Sequence, residues 1–109
     1  TPAEEAARVA CLVMDFLMDN PEISRISILS DMKRPKAMDN TMRTVMGLWR
    51  RMSGGGMTAL EKEKAFTVVA AMQSAFLRRD VLKESLGVDM YDKAQRDAFL
   101  GRLIEGVLA

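Results

Sequence analysis

From Ala65 to Leu77 the sequence reads AFTVVAAMQSAFL, without a charge and with apolar side chains on every side of a helical wheel. A helix of that kind has no face to give to water, so other protein must enclose it. It is far too short to cross a bilayer, as are the longest uninterrupted apolar runs, VACLVM and VVAAM. The coat for this segment has to come from the rest of the chain or from a second molecule. The 109 residues, 49% of them apolar, suffice for one domain. A chain of that size buries roughly 65% of its unfolded surface, enough for a core without staples.

The charges nearly cancel, with 16 Lys and Arg against 15 Asp and Glu. High apolar content at near-zero charge excludes disorder and leaves no electrostatic footprint for nucleic acid or an anionic membrane. The doublets Arg50-Arg51 and Arg78-Arg79 fall near helix C-termini, where cations offset the partial negative charge of the dipole. There is no histidine, the commonest general base and metal ligand. No catalytic or metal site is legible, and we expect neither an enzyme nor a cofactor. SGGGM is not a phosphate loop, since no lysine follows at the required spacing and no strand precedes it. The single cysteine, Cys11, rules out an internal disulfide framework and suits a reducing cytoplasm, the expected location. No basic neighbour is present to depress its pKa, so it reads as a small buried hydrophobe. No basic stretch leads into an apolar one at the N-terminus, and a signal peptide is not expected. The chain opens inside a helix start, and we expect it to be part of something longer.

Five helical segments are predicted. The first spans about Ala3 to Asp19, with Thr1 and Glu4 as a capping box and Pro2 at the first helical position. The stretch DNPEISRISILSDMKRP poses a choice, because Ile26, Ser27 and Ile28 alternate like a strand. Neither face of that strand is cleanly apolar, and no second strand exists to take its hydrogen bonds. A helix from Pro21 to about Lys33, capped by Asn20, is therefore expected. Pro35 breaks the chain again. A third helix, about Lys36 to Met52, carries Met38, Met42, Val45, Met46, Leu48, Trp49 and Met52 on one side. Ser53 to Gly56 is read as a flexible loop. Thr58 and Glu61 form another capping box ahead of the fourth helix, which extends through VLKESLG to close at Gly87. Asp92, with Gln95 three positions on, starts the fifth. Its apolar residues spread over half its circumference, more than the ~100° that one core contact requires.

The fold class is thus all-α, a five-helix orthogonal or antiparallel bundle in a single domain over residues 1–109. So small a bundle cannot easily surround its fourth helix and also cover both sides of its fifth. We expect a homodimer through these two, with Thr67, Ala70, Ser74, Leu77, Leu100, Ile104, Val107 and Leu108 in the seam. The other reading of the same surplus is a fourth helix at the centre of a monomer.

Two stretches, FLMDNPEISRISIL and SLGVDMYDKAQRDAFLGRLIEGVLA, resemble the C-terminal domain of TetR-family transcriptional regulators. The first looks like that family's turn between two helices, the second of which opens with a Pro-Glu pair. The other looks like its closing helix and the connector ahead of it. The likeness covers essentially the whole chain. It implies a domain that dimerises through its last two helices and holds a small-molecule effector among its first, third and fourth. It implies DNA as a partner only through a helix-turn-helix domain that is not in this sequence.

Ten methionines is heavy usage, and unbranched, polarisable side chains conform to varied apolar shapes. Met14, Met38, Met42, Met46, Trp49, Met72 and Phe76 are the candidates to line a cavity for a small hydrophobic effector. The same residues at helical spacing read equally as plain core. Thr67, Gln73 and Ser74 are the polar groups of the uncharged stretch that could orient a ligand, Thr67 and Ser74 leaning instead towards the seam. A different class remains open: an all-helical interaction or scaffold module whose apolar surplus binds another protein.

Overall fold

The computed structural model describes residues 1–53 and 58–109, apart from the side chain of Ser53. The loop expected at Ser53 to Gly56 lies, from Gly54 on, outside the described residues. Among those described there are six helices and no strand: α1 Pro2–Asp19, α2 Pro21–Lys33, α3 Asn40–Ser53, α4 Ala59–Leu77, α5 Leu82–Leu86 and α6 Lys93–Leu108.

Short-range chemistry sets the boundaries. Thr1 and Glu4 close the capping box that opens α1, and Pro2 occupies its first turn. Asn20 holds the N-cap position of α2, but its side chain makes no capping hydrogen bond there. Its amide instead donates to the Phe16 carbonyl at 3.0 Å, closing the end of α1. The stretch with strand-like alternation is helical, as the missing partner strand required.

Two boundaries differ from expectation. α3 begins at Asn40 rather than Lys36, because the Asp39 carboxylate accepts the Met42 N–H at 2.9 Å and the Lys36 N–H at 3.1 Å. Those bonds, the one from Met42 foremost, hold its carboxyl below the ordinary carboxylate range. Lys36, Ala37 and Met38 are left in a turn. α4 stops at Leu77, and the segment expected as its extension is the separate α5. The chain turns over Arg78 to Val81, with Arg79 N–H donating to the Phe76 carbonyl and Val81 N–H to the Arg78 carbonyl. The Tyr91 hydroxyl fastens the turn by donating to Asp80. Gly87 ends α5 in the left-handed region at φ 74°, where a Cβ is costly. The helix count among the described residues is accordingly six.

α4 is the centre. Ala65, Val68, Val69, Met72, Ala75 and Phe76 form its buried face and share one core with Val45, Leu48, Trp49 and Met52 of α3, Met14 of α1, and Leu100 and Ile104 of α6. Ala6 and Ala10, both buried, keep the face of α1 thin where it enters that core. α6 is additionally clamped to α1 by charge. The guanidinium of buried Arg96 donates to Asp15 Oδ1 at 3.0 Å and to the Met90 carbonyl at 3.2 Å. Lys93 Nζ reaches Asp15 Oδ2 at 2.9 Å and Asp97 Oδ2 at 3.0 Å. Lys93 first and Arg96 second hold the Asp15 carboxyl below its usual range. The radius of gyration, 13.4 Å, matches a single packed unit of this length.

α2 is held differently. It buries only Ser24 and Ile28 and leans on α1 and α3. Its main fastening is polar: Asp31 Oδ2 accepts both the Thr41 N–H and the Thr41 hydroxyl, each at 2.8 Å, and Asn40 Nδ2 donates to Ser27 Oγ at 3.2 Å.

Candidate functional site

The loose seating of α2 opens a cavity of about 420 Å³ between it and α1, α3 and α4. Val13, Phe16 and Leu17 of α1, Ile23 and Ile28 of α2, and Val69 and Met72 of α4 give it apolar walls. Ser24, Ser27, Asp31, Asn40, Thr41, Thr44 and Gln73 supply its polar groups. Both the volume and this mixture of apolar lining with a few convergent polar groups are those of small-molecule sites.

The polar groups are ordered. Gln73 Nε2 donates to Thr41 Oγ1 at 3.0 Å, and the Thr41 hydroxyl donates in turn to Asp31. A chain of three side chains thus joins α4, α3 and α2. Ser24 is the exception. It is 4% exposed, it lines the cavity, and its hydroxyl has no hydrogen-bond partner. Leaving a buried hydroxyl unmatched is costly, and native structures usually avoid it. Asp31 is the only charged side chain on this cavity's wall among the described residues, and no Lys or Arg within them forms an ion pair with it.

A second cavity of about 540 Å³ lies on the far side of the same three residues. Met32, Pro35, Ala37, Met42, Phe66 and Ala70 form its apolar lining, and Lys36 and Asp39 stand at it.

The structure distributes the seven cavity candidates widely. Met72 lines the first cavity and Met42 the second. Met14 and Phe76 lie wholly inside the core, and Trp49 is nearly so, with the Lys62 ammonium 4.7 Å from its ring centroid. Met46 is half-buried against the core. Met38 is exposed in the turn ahead of α3. Of the polar trio, Gln73 reaches both cavities, while Thr67 Oγ1 is spent on the Glu63 carbonyl of its own helix. The eight seam candidates also divide. Leu100 and Ile104 are buried within this chain's own core, which leaves them almost no surface for a second copy. Thr67, Ala70 and Ser74 are exposed along one side of α4, and Leu77, Val107 and Leu108 are half-buried.

Ser24, Asp31 and Thr41 were not singled out from the sequence. A signal was present: positions 24, 27/28 and 31 recur at helical spacing, which puts two hydroxyls, an isoleucine and a carboxylate on one face of α2. The interruption at Arg25 marks the outer side.

Other chemistry finds little support in the geometry. Burial pushes the Cys11 thiol up to about 11, which keeps it protonated and unreactive at neutral pH. Among the described residues no group of three His, Cys, Asp or Glu side chains is placed to hold a metal ion, and no helix is long and apolar enough to cross a membrane. No family model, no curated protein and no solved structure matches the chain.

Proposed function

We propose that this chain is a ligand-sensing and self-associating helical domain, of the kind that TetR-like regulators carry beside their DNA-binding heads. The observation that carries the sensing half is the cavity under α2, with apolar walls and a few polar groups among them. An effector there touches four helices at once and can favour one arrangement of them over another. The free energy available for switching is the difference in its affinity for the two arrangements, so a ligand that binds both equally switches nothing. In a dimer bearing two DNA-reading heads, such a shift moves the heads away from the ~34 Å repeat of adjacent major grooves.

Self-association rests on α4. The sequence demands cover on nearly every side of this helix, yet the fold covers only one broad face of it. Phe66, Thr67, Ala70 and Ser74 remain exposed, with Phe66 51% accessible. A second copy packed along this row, with half-buried Leu77, Val107 and Leu108 beside it, supplies the missing coat.

Two measurements test the two halves. A thermal-shift screen with small amphipathic molecules should give hits; a ligand at a hundredfold its Kd stabilises by about 2.7 kcal/mol. Uniform failure across diverse ligands removes the sensing half. Sedimentation velocity at micromolar concentration should show a dimer, and a monomer alone removes the other. One observation favours a second reading, a docking module for another protein: Ile23 and Ile26 of α2 are each 66% exposed, and Phe16 beside them 60%.

A further inference from the structure

The cavity's chemistry is lopsided in charge. Its only charged wall group among the described residues is Asp31, whose Oδ2 is engaged by Thr41 and with which no Lys or Arg among those residues forms an ion pair. An apolar cavity whose one charged wall group is a carboxylate outside any ion pair is complementary to one class of molecule. We propose that the ligand is an apolar amine, its ammonium paired with Asp31. This rests on the reading of the cavity as a ligand site, and it adds the sign of the ligand's polar group.

Gln73 and Thr41 make the carboxylate ready. The chain from Gln73 Nε2 through the Thr41 hydroxyl to Asp31 Oδ2 fixes the rotamer of the acid before any ligand arrives, so little ordering remains for the ligand to impose.

Calorimetric titration of the protein at neutral pH separates the parts, with octylammonium and octanoate below their micelle concentrations and octanol below its solubility limit. Octylammonium should bind about fivefold more tightly than octanol, the scale of a half-exposed ion pair, and octanoate weakest. The chain's formal net charge of +1 would by itself favour octanoate, so the expected order cannot come from the overall field. Asp31→Asn, which keeps an acceptor for Thr41, should remove the preference for the ammonium over octanol. The wild-type order stands as a test even where that variant does not fold. Octanol binding as tightly as octylammonium, or a preference that survives Asp31→Asn, overturns the amine assignment and leaves the ligand site intact. No binding by any of the three overturns the ligand site itself.

Discussion

The two flanks of α1 are built on opposite plans. Towards α6 it meets a closed surface, with Met14, Leu100 and Ile104 excluded from water and Arg96 bonded to both Asp15 and the Met90 carbonyl. Towards α2 it meets an open one, where Phe16 and Ile23 remain in water, Ser24 is buried without a partner, and a cavity separates the helices. The first flank is shut to water and clamped by charge, with Arg96 Nε and Asp97 Oδ1 left as unmatched polar atoms. The second leaves apolar surface uncovered around a hollow, which is the condition under which a ligand gains by arriving. Stability and binding are thus assigned to different sides of one helix.

The contrast can be broken most severely in the core. Phe76→Ala should lower the unfolding free energy in urea by about 3–5 kcal/mol, since the ring is fully enclosed and its loss leaves a hole. The outward Ile26→Ser should change it by less than about 0.5 kcal/mol. Similar costs at the two sites would mean that α2 is packed as firmly as the centre.

Next in size is Arg96→Met, for which we expect a loss of about 2–3 kcal/mol in the same assay. The loss falls at the low end for a buried charge because Asp15 keeps Lys93. The same clamp gives the closed flank a pH signature. The Asp15 carboxyl is held below its ordinary value of 3.8, mainly by Lys93 and then by Arg96. Its contribution is complete above that value and is lost as pH falls below it, because the unfolded chain then takes up the proton first. Asp15→Asn should flatten the acid side of the stability profile, and an unchanged profile would place the acid sensitivity elsewhere.

Gly87→Ala should cost about 1 kcal/mol from the left-handed backbone alone, since open space surrounds the position. The smallest effect is expected at Ser24→Ala. Without ligand it should leave stability unchanged or raise it by up to about 1 kcal/mol, because it deletes a hydroxyl with nothing to bond. A clear loss would show that the hydroxyl already has a role in the empty protein.

The all-helical class was legible because the argument for it was local: Pro21 opens a helix, and no other segment could pair with a strand at Ile26 to Ile28. The capping box at Thr1 and the stop at Gly87 were equally local and are present. The start of α3 was misplaced because Asp39 looked like one more polar residue on a helix face, when its carboxylate was already engaged with Met42 and Lys36. The break after Leu77 depends on bonds from Arg79 and Tyr91 that no helical wheel displays. The methionine row of α3 marked a buried face, but burial does not distinguish a filled interior from an empty one. What creates the cavity is how lightly α2 is seated, a property of the whole assembly. Arg96 escaped notice for the same reason, since its partner Asp15 lies 81 positions away in the sequence.

Asp31, Thr41 and Gln73 stand at both hollows, so one thin partition serves two rooms. A lean of that partition towards α1 narrows one room and widens its neighbour by the same movement. Guests in the two would therefore feel one another through it, and the influence of the first on the second must equal that of the second on the first.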